Sequence, residues 1–155
     1  GMPLAAVTGR AEIMDAPGPG SLGGTYAGSP VACAAALAAL SQMEDLDLAG
    51  RARGIEAVAR EILEPLVGEA GASGTRVAEL RGRGAMLALE FVDGEGRPDG
   101  AAVKKIAAAC QAAGLLILTC GLDGNVIRLL PPLVIDEDLL RDGLTVLAGA
   151  VRENI

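Results

Sequence analysis

The sequence predicts an α+β fold: a small layer of antiparallel strands backed by helices, preceded by an N-terminal piece that does not fit that layer. Two observations carry this expectation. From Leu48 onward the periodic segments run helix, two strands, helix, two strands, helix, with glycine or proline punctuating the junctions. The chain can also build a core, because 51% of its 155 residues are hydrophobic against 21% charged, which excludes a disordered chain. A domain of this length buries roughly two-thirds of its unfolded surface. With Tyr26 and Phe91 as the only aromatics, that core is aliphatic.

In chain order, Leu4 to Thr8 is short and apolar and reads as a strand, and Glu12, Ile13 and Met14 as a brief helical turn. Residues 16–29 hold Pro17, Gly18, Pro19, Gly20, Gly23, Gly24 and Gly28, a loop too long for a simple turn and of a kind that often carries function. Ser29 and Pro30 then supply an N-cap and a first-turn proline for an alanine-dense helix running to Met43. Being apolar on every face, that helix is expected to be buried.

A second helix is expected from about Leu48 to Val67. It sets Ile55, Val58, Ile62 and Leu66 inside and Arg51, Arg53, Glu56, Arg60 and Glu64 outside, with Pro65 ending or kinking it. Val77 to Val92 reads as two strands broken at Gly82-Arg83-Gly84, and the turn Asp93 to Gly96 closes the pair. A third helix spans about Gly100 to Ala113, with Val103, Ile106, Ala107 and Cys110 on one face and Gly114 as its stop. Short strands follow at Leu115 to Thr119 and Asn125 to Leu130, the latter closed by Pro131-Pro132. Asp136 caps a last helix with apolar positions Leu139, Leu140, Leu144, Leu147, Ala148 and Val151.

Composition excludes several chemistries. Histidine and tryptophan are absent, so no imidazole base or histidine metal ligand exists within these residues. The formal net charge of -7 leaves no basic surface for a run of phosphates, so nucleic acid is not an expected partner. The alanine-rich stretch from Val31 to Met43 is too short to span a bilayer, and Gly1-Met2-Pro3-Leu4 lacks signal-peptide organisation. Cys33, Cys110 and Cys120 are odd in number and far apart, which fits a reducing cytoplasm rather than a disulfide framework. The expected localisation is cytoplasmic, with no membrane partner.

Two stretches carry candidate chemistry. In Gly23-Gly24-Thr25-Tyr26-Ala27-Gly28-Ser29-Pro30 the glycines allow close backbone approach, Thr25 offers a hydroxyl and a helix N-terminus lies just beyond, an arrangement that attracts an anion such as phosphate. The same residues also read as a plain glycine-rich lead into a capped helix. The second candidate is Arg128, alone in the aliphatic run Asn125 to Pro132 on the face shared with Val126 and Leu130. Both an outward-facing arginine and a bidentate ligand for a carboxylate fit that position. Gly82-Arg83-Gly84 reads as a solvated turn, Asp136, Glu137 and Asp138 as helix-start residues, and Cys33 and Cys110 as core residues.

Gly1 to Arg10, Gly23 to Pro30, Arg83-Gly84-Ala85-Met86 and Asn125-Val126-Ile127-Arg128-Leu129-Leu130-Pro131-Pro132 together resemble the C-terminal part of class III, pyridoxal-phosphate-dependent aminotransferases of the 4-aminobutyrate type. The resemblance covers essentially the whole chain. It implies the small C-terminal domain of the type I transferase fold at residues 48–155, a connecting helix at 30–47 and a remnant of the large cofactor domain at 1–29. It matches Thr25, beside Gly24, to the threonine that one subunit extends to the cofactor phosphate in its neighbour's site, and Arg128 to the arginine that holds the substrate carboxylate. Ser29 stands where the family usually has Asn. Amino acid and 2-oxo acid substrates and a homodimer follow from the same resemblance.

The family's Schiff-base lysine lies a few residues before the position of Gly1, and the carboxylate that pairs with the pyridine nitrogen lies further upstream. The only lysines here, Lys104 and Lys105, belong to an amphipathic helix without the expected glycine-rich context. The expectation is a piece of a 4-aminobutyrate:2-oxoglutarate transaminase that is inactive alone, with no catalytic residue of its own and no covalent hold on the cofactor. A non-catalytic association or carboxylate-binding module, or one half of a split enzyme, are the alternatives. Exposed apolar surface along Val31 to Leu40 would be covered by self-association.

Overall fold

The computed structural model describes residues 2–155, which divide into two compact units at Asp47 and Leu48. The first unit holds α1 (Ala11–Met14), a long glycine-punctuated loop and α2 (Pro30–Asp45). Leu4 to Thr8 is not a strand: it is exposed and without regular structure, because no second strand in this unit offers it a ladder of hydrogen bonds. Helix α2 forms where alanine density and Pro30 place it, and the Ser29 hydroxyl makes no capping bond. It is also not a buried helix. Only Ala32 is buried, while Val31, Leu37, Leu40 and Met43 are exposed, since composition sets how much cover a helix wants and not whether its own unit supplies it.

The second unit carries α3 (Leu48–Leu63), a 3-10 turn at Glu64–Leu66, β1 (Arg76–Arg83), β2 (Met86–Val92), α4 (Gly100–Ala112), β3 (Leu118–Cys120), β4 (Val126–Leu129) and α5 (Glu137–Asn154). Pro65 tightens the end of α3 into that 3-10 turn rather than letting the helix run to Val67. The four strands form one antiparallel sheet in the order β1-β2-β4-β3. This is the α+β layer of antiparallel strands and helices that the sequence predicts.

One face of the sheet is packed against the helices. Leu80, Leu87, Leu89, Phe91 and Ile127 join Ile55 and Leu63 of α3, Ile106 of α4 and Leu147 and Val151 of α5 in a single buried cluster. Each fully buried side chain of this size contributes about 1.5–3 kcal/mol, so this aliphatic cluster is the main stabilising term. The opposite face carries Glu79, Arg81, Met86, Ala88, Glu90, Val126 and Arg128, because strand residues alternate and directly paired residues point the same way. A bulge between Val77 and Glu79 switches the inward set on β1 from Val77 to Leu80, so that both halves of the strand stay in phase with the core.

Local chemistry fixes the ends. Helix α4 stops in a Schellman turn: Gly114 has φ +83°, its amide donates to the Gln111 carbonyl at 3.0 Å, and the Leu115 amide donates to the Cys110 carbonyl at 2.8 Å. Because Leu115 is spent on that turn, β3 starts only at Leu118 instead of Leu115. Asp136 caps α5 by accepting from the Asp138 and Leu139 amides. Asp99 caps α4 by accepting from the Ala102 amide at 3.0 Å, and its second oxygen accepts from the buried Thr75 hydroxyl at 2.7 Å.

The Ala102 amide and then the Thr75 hydroxyl hold the Asp99 carboxyl below the ordinary aspartate range. A depressed value means that the carboxylate's contribution is complete above the unfolded-state value of about 3.9 and is lost as pH falls through the lower folded-state value. Asp99→Ala should cost about 1–2 kcal/mol. Thermal unfolding followed against pH should also show a shallower acid loss below about pH 4 in the variant than in the parent chain. Parallel acid profiles would contradict this role.

Candidate functional site

Arg128 sits at the third position of β4, on the face of the sheet away from the helices, with Ala88 of β2 paired on one side and Leu118 of β3 on the other. Along β4 its same-face neighbours are Val126 and Leu130, and the turn of the β1-β2 hairpin adds the exposed Met86. Along its strand and at the paired positions the guanidinium has aliphatic neighbours, with Glu90 of the same face one diagonal away; it is exposed and makes no hydrogen bond or ion pair among the described residues. A planar cation with five donors in such surroundings is matched to a bidentate carboxylate. Nearby, an apolar cavity of about 530 Å³ opens at the end of β4, lined by Ile55, Leu87, Leu115, Leu129, Pro131 and Leu140 among others, with Arg128 at its wall.

Gly24 and Thr25 belong to the first unit, in the loop that leads into α2. The Ala27 amide donates to the Gly24 carbonyl at 3.0 Å and the Ser29 amide to the Tyr26 carbonyl at 3.2 Å, so the backbone turns twice before the helix, with Gly28 at φ +68°. Nothing lies within 4 Å of where a side chain would stand on Gly23 or Gly24. Thr25 is exposed and its hydroxyl makes no hydrogen bond among the described residues. Open space over two glycines beside a free hydroxyl fits the phosphate end of a cofactor such as pyridoxal phosphate. Lys104 and Lys105 are both exposed on α4.

Other charged groups hold the fold together. Glu56 accepts from Arg60 at 3.0 Å and from the Gly84 amide at 2.6 Å, while Arg60 also reaches the Gly82 carbonyl at 3.3 Å. Helix α3 thus grips the β1-β2 turn, where Gly82, at φ +125°, leaves no room for a side chain against the Met86 carbonyl. The Gly84 amide, then Arg60, hold the Glu56 carboxyl below the usual carboxylate range. Cys110 is buried among apolar groups, which push its thiol up and away from reactivity. No group of histidine, cysteine, aspartate and glutamate side chains among the described residues is arranged to hold a metal. No helix among them is long and apolar enough to cross a membrane.

The sequence reading missed the ion pair between Arg81 and Glu90 on the face that carries Arg128. Its signal was the hairpin register, since a two-residue turn at Gly84 and Ala85 brings Arg81 opposite Ala88, one pleat from Glu90.

Comparisons with known proteins show the family of the chain. The family model Aminotransferase class-III matches residues 1–151. The chain is 49% identical over 154 residues to a 4-aminobutyrate aminotransferase of Mycobacterium tuberculosis, covering 99% of this chain and 33% of the relative. It is 44% identical over 160 residues to a 5-aminovalerate aminotransferase of Pseudomonas putida, covering 99% and 35%. Among solved structures, the ornithine aminotransferase of Toxoplasma gondii, which has partial occupancy of pyridoxal phosphate at its active site, superposes with a TM-score of 0.78 at 32% identity, over 94% of this chain and 32% of that one. The acetylornithine aminotransferase of Elizabethkingia anophelis gives 0.75 at 34% identity, over 91% and 33%. The chain spans about a third of the length of these relatives. With the sheet, its helices and nearly the whole sequence matched, the chain belongs to the class III aminotransferases.

Proposed function

We propose that these residues are the part of a pyridoxal-phosphate-dependent transaminase that receives the substrate carboxylate and touches the cofactor phosphate, in an enzyme moving an amino group from 4-aminobutyrate or a similar ω-amino acid to 2-oxoglutarate. The observation that carries this reading is the exposed guanidinium of Arg128, which makes no hydrogen bond or ion pair among the described residues although Glu90 shares its face of the sheet. Amino donor and oxo acceptor both bear a carboxylate, so one guanidinium serves both halves of the exchange and fixes the distance from the carboxylate to the reacting carbon. Thr25 Oγ1 and the Gly24 amide donate to the phosphate. When bound, pyridoxal phosphate supplies the electron sink for chemistry at the amino-bearing carbon.

In this reading residues 1–29 come from the large cofactor domain, 30–47 connect, and 48–155 form the small domain. The exposed Val31, Leu37, Leu40 and Met43 of α2 are covered by the rest of the enzyme and by a second subunit, whose site Thr25 completes. The unpaired Cys33, Cys110 and Cys120 support a cytoplasmic, reducing setting. The 155 residues alone do not transaminate, since no lysine among them stands near either candidate subsite in sequence.

Two measurements test this. Incubated with pyridoxal phosphate and reduced with borohydride, the chain should gain no stoichiometric adduct at a single lysine by peptide mass mapping. Such an adduct, with amino transfer to 2-oxoglutarate, would overturn the inactivity. In a full-length transaminase carrying this segment, Arg128→Ala should raise KM for both 4-aminobutyrate and 2-oxoglutarate about tenfold or more, the equivalent of a charge-assisted hydrogen bond. An unchanged KM for both would remove Arg128 from the site.

A further inference from the structure

The outer face of the sheet sets one carboxylate between two arginines. Arg81 of β1, Ala88 of β2 and Arg128 of β4 form a row across three strands, and Glu90, the next residue of β2 on that face, is paired with Glu79 on one side and Val126 on the other. Glu90 is thus the diagonal neighbour of both Arg81 and Arg128, and diagonal neighbours at about 7–8 Å lie within reach of long side chains. The small side chain of Ala88 puts no obstacle in either direction. An arginine with a carboxylate at that range and no other partner would ordinarily close on it, which would neutralise Arg128. In the structure Glu90 goes the other way: its Oε2 accepts from Arg81 Nη1, Arg81 Nη1 also donates to Glu79 at 3.1 Å, and Asn125 Nδ2 stands 3.5 Å from the second Glu90 oxygen.

We propose that Arg81 is a positioning residue that holds Glu90 off Arg128, so that the Arg128 guanidinium stays open to the carboxylate of an incoming substrate. The proposal rests on the reading of Arg128 as a carboxylate ligand. Arg81 never touches substrate in this arrangement; it acts through Glu90. Two acids share Arg81, so the Glu79-Arg81-Glu90 cluster carries one excess negative charge; removing Arg81 raises that excess to two and frees Glu90 next to Arg128. The freed Glu90 then competes with substrate for the same guanidinium.

The experiment uses the chain with the Arg128 Nε-Hε resonance as reporter and 2-oxoglutarate as probe. Without ligand, Glu90→Gln should leave the Arg128 resonance in place in the otherwise unchanged chain, and should move it in the Arg81→Gln background, where Glu90 has turned to Arg128. Arg81→Gln should weaken 2-oxoglutarate binding about two- to fivefold, the equilibrium equivalent of an exposed ion pair. Adding Glu90→Gln should restore it. The control is Arg81→Gln with Glu79→Gln, which restores the same net charge but leaves Glu90 free, and should not restore binding. Arg81→Lys, which keeps a cation beside Glu90, should behave as the parent.

Equal rescue by Glu79→Gln and Glu90→Gln would reduce the effect to net charge and overturn the proposal. A shift of the Arg128 resonance on Glu90→Gln with Arg81 intact would overturn it as well, and needs no variant at Arg81. If 2-oxoglutarate fails to perturb Arg128 in the parent chain while the ligand-free shifts follow the expected pattern, the carboxylate reading of Arg128 falls and the hold of Arg81 on Glu90 stands.

Discussion

Pairing of β2 with β4 in the register that sets Ala88 opposite Arg128 decides which groups share the outer face of the sheet. The same register turns Leu89 and Ile127 inward together, and neither has any surface exposed. A slip by one residue would send those aliphatic groups to solvent and Arg128 into the core, so the hydrophobic cluster that stabilises the domain also enforces the orientation of Arg128. Stability and site geometry are therefore set by one constraint. The exposed guanidinium is a consequence of how the core packs.

The two candidate subsites draw on different physics. Arg128 is held on a strand of a packed sheet, where rotamer and direction are limited by neighbours on both sides. Gly24 and Thr25 lie on a loop whose own unit contributes one buried residue in α2, so their arrangement depends on the backbone turns. On the proposed function, the strand-held Arg128 is the anchor for the substrate carboxylate and the loop the adaptable contact for the phosphate.

Much of the second unit was legible in the residues. The 3.6-residue spacing of Ile55, Val58 and Ile62 marks α3, Asp136 marks the start of α5, and Gly114 marks the end of α4 through its left-handed backbone. Strand alternation placed Arg128 with Val126 and Leu130 on the face where it stands. Three features were not legible, each for a physical reason. Leu4 to Thr8 has strand composition, and a strand exists only with a partner. Helix α2 has a core composition, and burial belongs to what packs against it. The Arg81-Glu90 pair required the turn to fall at Gly84 and Ala85, where Glu56 and Arg60 grip it.

The central claim is that Arg128 is an open carboxylate receptor on this sheet. A crystal structure of the chain grown with 2-oxoglutarate tests it most directly. The expected result is a carboxylate bound through two oxygens to Arg128, with Arg81 still on Glu90. Arg128 closed on Glu90 or on another acid of its own chain, with no bound ligand, would contradict it.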